Sequence, residues 1–82
     1  MAKEQGAALE DTLDTSGLHC PMPVLLTKRR LRRLPTGARL TVHASDPLAR
    51  LDLANFCREE GHALLAITAD DEGTITALIE KC

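Results

Sequence analysis

The segment Gly17-Leu18-His19-Cys20-Pro21-Met22-Pro23-Val24 sets a thiol between a turn-forming glycine and two prolines. A residue that precedes proline is pushed toward extended backbone, which keeps Cys20 and Met22 out of a helix. Pro23 is then the first helical residue, where its preset φ fits and its missing N–H has no partner to lose. The N–H groups of Val24, Leu25 and Leu26 stand at a helix start that Met22 has no side chain to cap. An anion suits that place. A thiolate there would gain from the positive helix terminus, so Cys20 is expected to have a depressed pKa and raised nucleophilicity. Local geometry leaves a second reading open, in which Cys20 is a small buried hydrophobe.

Lys28, Arg29, Arg30, Arg32 and Arg33 put five cations in six positions of the same helix. A solvated face favoured by the helix dipole accounts for part of this run. Because it lies on the helix that carries the reactive end, Lys28, Arg29, Arg30 and Arg33 are also expected to dock acidic surfaces of partner proteins. Met22, Leu25 and Leu26 fall off the core stripe and form an apolar rim around Cys20 if they are exposed. Cys57 falls on a buried stripe beside Phe56 and reads as a packing residue, while Cys82 reads as an incidental thiol or a resolving one. His19 is a weak candidate base, since neighbours in an extended segment point apart. No spacing of Cys and His matches a metal site, and neither a metal nor an organic cofactor is expected.

The elements that must hold these residues follow from pattern. Residues 1–8 read as a flexible lead-in and residues 9–82 as one domain. Leu9 to Thr15 alternates weakly and gives a first strand. Val24, Thr27, Leu31 and Leu34 share a helix face that Pro35-Thr36-Gly37 ends. Arg39 to Ser45 places Leu40, Val42 and Ala44 on one face of a strand. Asp46 and Pro47 read as N-cap and first residue of a second helix that buries Ala49, Leu53, Phe56 and Cys57, leaves Leu48 and Leu51 off that stripe, and closes at Gly61. The stretches ALLAITA and TITALIE form a hairpin around Asp70 to Gly73. The order β-α-β-α-β-β predicts an α+β fold, a two-layer α/β sandwich with a mixed four-stranded sheet and two helices on one face.

Composition narrows the classes. The chain has 82 residues, a formal charge of −2, one Phe and no Trp or Tyr. It therefore has no aromatic platform for bases, and direct nucleic-acid binding is not expected beyond phosphate attraction to the basic helix. The polar N-terminus and the short apolar runs predict a cytoplasmic protein without a membrane segment. Three widely spaced cysteines suit free thiols in a reducing compartment. A monomer with transient partners is expected.

The stretches LDTSGLHCPMPV and ASDPLARLDLANFC, with the spacing to the terminal hairpin, resemble the TusA family of small sulfur-carrier proteins, also called SirA- or YedF-like. The resemblance runs from about Leu13 to Lys81. Its hallmark is Cys-Pro-x-Pro at the start of the first helix, met by Cys20, Pro21, Met22 and Pro23, with Gly17 in the preceding turn. The chain departs from the usual pattern at Thr15, where an aliphatic residue is common, and in its terminal Cys82. The resemblance implies a sulfurtransferase that carries sulfane sulfur as a persulfide on Cys20. It also implies a cysteine desulfurase or rhodanese-like donor and a downstream acceptor protein, in tRNA thiolation, molybdenum-cofactor maturation or sulfur oxidation. Two other classes stay open on the residues alone. One is a regulatory or RNA-associated adaptor that uses the basic helix; the other is a redox protein that pairs Cys20 with Cys82.

Overall fold

The structure, a computed structural model, describes residues 9–82; the expected lead-in over residues 1–8 lies outside them. Strand β1 (Glu10–Asp14) leads to helix α1 (Met22–Arg32), strand β2 (Arg39–Ala44), helix α2 (Ala49–Glu60) and the strands β3 (Ala63–Ala69) and β4 (Ile75–Glu80). The sheet order is β1-β2-β4-β3. β1 pairs parallel with β2, while β2 with β4 and β3 with β4 are antiparallel, so the sheet is mixed. The predicted α+β sandwich is what the chain builds.

Alternation decides which face of the sheet the helices cover. Leu40, Val42 and Ala44 of β2 stand directly opposite Ile79, Ala77 and Ile75 of β4, and all six are buried. Their neighbours Thr41, His43, Thr76 and Leu78 point the other way and are only half-buried. Onto the apolar face α1 brings Leu31 and α2 brings Ala49, Leu53, Phe56 and Cys57. With one aromatic residue in the chain, this core rests on aliphatic burial, about 1.5–3 kcal/mol for each fully buried Leu or Ile.

The helix ends follow from local chemistry, with two corrections. α1 begins at Met22 with Pro21 as its N-cap residue, so Pro23 is the second helical residue rather than the first. Proline tolerates either position, because neither N–H would have a partner inside the helix. α2 begins at Ala49 behind Leu48, and Asp46 is not its capping residue. One Asp46 oxygen still accepts the Leu48 N–H just ahead of the helix, and the other reaches the cysteine loop. At the far end Gly61, at φ +82°, closes α2 in the left-handed conformation and donates to the Cys57 carbonyl at 2.9 Å. Leu48 and Leu51 are exposed, as their places off the stripe predict.

Candidate functional site

Four hydrogen bonds hang the segment between β1 and α1 on the junction between β2 and α2. The Thr15 N–H and the Thr15 hydroxyl both donate to the His43 carbonyl at 2.7 Å. The Gly17 N–H donates to Ser45 Oγ at 2.8 Å, in a turn that Gly17 makes at φ +83°. The Cys20 N–H donates to Asp46 Oδ2 at 2.6 Å. Thr15 is fully buried, so its hydroxyl needs this partner, and an aliphatic residue there would forgo the bond.

Asp46 is the hub of that junction. One carboxylate oxygen holds Cys20 and the other accepts the Leu48 N–H at 3.0 Å, so the same side chain ties the cysteine loop to the approach of α2. The Cys20 N–H, then the Leu48 N–H, hold its carboxyl below the usual carboxylate range, and the nearby His19 adds to this. His19 acts there as a neighbouring charge and makes no side-chain hydrogen bond to Cys20 among the described residues.

Cys20 is exposed. Its Sγ donates to Asp52 Oδ2 at 2.9 Å, from the loop to the first turn of α2. That bond, with partial desolvation and the charges of Asp52 and Asp46, pushes the Cys20 thiol up. The expected depression is thus reversed in the free protein, where two carboxylates stand near the sulfur. The backbone donors also differ from expectation. The Leu25 N–H closes the first turn on the Pro21 carbonyl at 3.1 Å and is not free for sulfur. Val24, half-buried, lines the groove beside Cys20. Among the described residues no backbone N–H donates to Sγ.

The groove at Cys20 runs between the two helices. Pro21, Leu25 and Lys28 line its α1 side, and Asp52, Asn55 and Phe56 its α2 side. Pro23 is buried under α1 and anchors the loop from below. Met22 and Leu25, 41% and 47% exposed, form the expected rim together with half-buried Leu26. Arg29 and Arg32 border the same patch. Arg33 is exposed above a separate depression beside Leu13 and Leu26. Arg30 turns toward β1, where its Nη1 donates to Asp11 Oδ2 at 2.8 Å and to the Thr12 carbonyl at 3.3 Å, so part of its charge is offset by Asp11 and it ties α1 to β1.

The other thiols separate cleanly. Cys57 is buried in the core, and desolvation pushes its thiol up to about 11. Cys82 is exposed, with its N–H on His62 Nδ1 at 3.2 Å beyond the C-terminal end of α2. Asp52, the partner of Cys20, lies ten residues before His62, a rise of about 15 Å along a helix. A Cys20–Cys82 disulfide needs Cα atoms within about 7 Å, so the redox pairing does not fit this fold. Among the described residues no group of three or more His, Cys, Asp or Glu is placed to hold a metal ion.

Sequence reasoning missed Asp52 and Ser45, and left Arg32 out of the docking set. Asp52 sits 32 residues from Cys20 and looks like any acidic residue in a first helical turn. Arg32 had a signal, since it follows Leu25 by two turns and Arg29 by one.

A small sandwich that fixes an exposed thiol on a tethered loop, ahead of a helix and beside a groove, has the build of a thiol carrier. Known proteins agree. The family described as sulfurtransferase TusA matches residues 11–81. A sulfur carrier protein TusA of Pseudomonas syringae pv. syringae is 40% identical over 77 residues, 94% of this chain and 90% of that protein. A putative sulfur carrier protein of Neisseria meningitidis is 41% identical over 70 residues, 85% of this chain and 93% of its own length. The crystal structure of a SirA-like protein from Desulfitobacterium hafniense superposes with a TM-score of 0.77 at 28% identity, covering 85% of this chain and 95% of that one. The chain belongs to the TusA sulfurtransferase family. A place in a family of sulfur carriers implies a sulfur donor and a sulfur acceptor. No helix among the described residues is long and apolar enough to cross a membrane.

Proposed function

We propose that the chain is a persulfide carrier in which Cys20 takes sulfane sulfur from a cysteine desulfurase or rhodanese-like donor and passes it to a downstream acceptor protein. Cys20 Sγ attacks the outer sulfur of the donor persulfide. A new S–S bond forms at Cys20, the donor S–S bond breaks, and the donor leaves as a thiol that carries the proton Cys20 gave up. Electrons balance without an added oxidant. The second transfer repeats the exchange toward the acceptor, whether sulfur then enters tRNA thiolation, molybdenum-cofactor maturation or sulfur oxidation.

The observation that carries this reading is the exposed Cys20 on a loop that four hydrogen bonds hold in register. A nucleophile held in place loses little entropy on meeting its partner. Met22 and Leu25, bordered by Lys28, Arg29 and Arg32, offer an apolar patch with a cationic rim, which suits an acidic-rimmed surface on a donor or acceptor. Arg33 adds positive charge along the same helix.

Mass spectrometry after incubation with a cysteine desulfurase and cysteine tests the proposal. The wild-type chain gains one sulfur atom on Cys20, and Cys20→Ser gains none. Normal loading of Cys20→Ser would overturn it. Charge reversal at Arg29, Arg32 and Arg33 with Cys20 intact slows loading at low salt while leaving small-molecule alkylation of Cys20 unchanged.

A further inference from the structure

Nothing in the persulfide exchange requires a carboxylate beside the attacking sulfur, and a free carboxylate there opposes ionisation. Yet Asp52 Oδ2 lies 2.9 Å from Sγ. A carboxylate can only accept, so the thiol is the donor and must keep its proton for the contact to exist. A thiolate in the same place would meet the Asp52 oxygen with no proton between them. The Cys20 main chain is held in place beside α2, because its N–H donates to Asp46 Oδ2 at 2.6 Å. Asp46 is itself held ionised by the N–H groups of Cys20 and Leu48, which places a second negative charge behind the first. The pair is preorganised by the fold. Asp46 holds the Cys20 main chain, and α2 presents Asp52 to the sulfur.

We propose that Asp52 is a proton-holding residue that keeps Cys20 as a neutral thiol in the free carrier and so restrains its reaction until a partner disturbs the Cys20–Asp52 contact. This rests on the carrier reading above. Its benefit is selectivity. Oxidants and stray disulfides react with the thiolate, and a carrier that must wait for the right donor gains from holding that form low. A docked protein that sets a cation against Asp52 takes up its charge, so the restraint is lifted where the donor sulfur is present.

The test uses the full-length chain with Cys82→Ser as background, and reads iodoacetamide alkylation of Cys20 against pH by mass spectrometry. Asp52→Asn keeps the size and an acceptor oxygen but removes the charge. Alkylation at neutral pH is expected to rise about fivefold, with the profile moved to lower pH, as befits loss of one unit charge a few ångströms away near water. Glu59→Gln removes a carboxylate two turns further along α2 and leaves the rate within about twofold. Circular dichroism on each variant confirms the fold, and Asp52→Ser provides a second route to the same loss of charge. An unchanged profile in both Asp52 variants, or an equal shift in Glu59→Gln, would overturn the proposal. Alkylation needs no sulfur donor, so failure here is distinct from failure of the carrier reading, which the Cys20→Ser loading experiment decides.

Discussion

Cys20 and Cys57 are the same residue in two regions of one small domain, and both hold their protons more tightly than a free cysteine, for different reasons. Cys57 lies under α2 in the aliphatic core, where the interior cannot solvate a thiolate and the nearby Cys82 adds a smaller push in the same direction. Cys20 lies in the open, where a carboxylate 2.9 Å away resists the negative charge. A direction of shift alone would class the two together. Access separates them. Burial can be undone only by opening the core, whereas a surface carboxylate can be neutralised by whatever docks on it, so only the second kind of restraint suits a site that must turn on.

Native-state alkylation should break or sustain this contrast most clearly. Cys20 is expected to label readily, and Cys57 about a thousandfold or more slowly, since Cys57 must wait for a rare opening of the fold. In denaturant the two rates converge. Equal rates under native conditions would erase the distinction. Next in size, Cys57→Ser buries a hydroxyl without a provided partner and should cost about 1–3 kcal/mol in urea unfolding, while Cys20→Ser stays within about 0.5 kcal/mol.

Acid sharpens the contrast from the loop side. The Asp46 carboxyl is depressed in the fold, so its contribution is fully present above the ordinary value of about 3.9 and is lost as pH falls through its lower folded value. Protection of the Cys20 amide against hydrogen exchange, taken relative to the intrinsic rate at each pH, should therefore fall in acid before that of the core strands, and Asp46→Ala should lower Tm on the order of 5 °C at neutral pH. The smallest effect is expected at Arg30, whose ion pair with Asp11 is about a third exposed on each side. Arg30→Ala should cost at most about 1 kcal/mol and leave the alkylation of both thiols unchanged.

Much of the sandwich was legible in the chain. The alternation of Leu40, Val42 and Ala44 names the covered face of β2, and the stripe Ala49, Leu53, Phe56 and Cys57 names the buried face of α2. Gly61 marks the end of that helix. Less of the site could be read. The two prolines locate the start of α1 to within one residue, but the local sequence around Cys20 shows the helix terminus and not the distant carboxylates that raise its thiol. Asp46 reads as a helix cap because Asp-Pro at a strand end usually is one, and only the folded junction shows its oxygens spent on Cys20 and Leu48. Arg30 looks like its neighbours in the basic run until β1 supplies Asp11.

Periodicity and punctuation are local, since each is set by residues a few places apart competing for the same turn or face. They determined the elements and the core from sequence alone, and placed the thiol just ahead of α1, while its exposure came with the fold. Acidity is set by whatever charge stands within a few ångströms, and here that charge comes from residues 26 and 32 places away. Only the tertiary structure could bring Asp46 and Asp52 to Cys20, and so only it decided that the sulfur rests as a restrained thiol rather than a free thiolate.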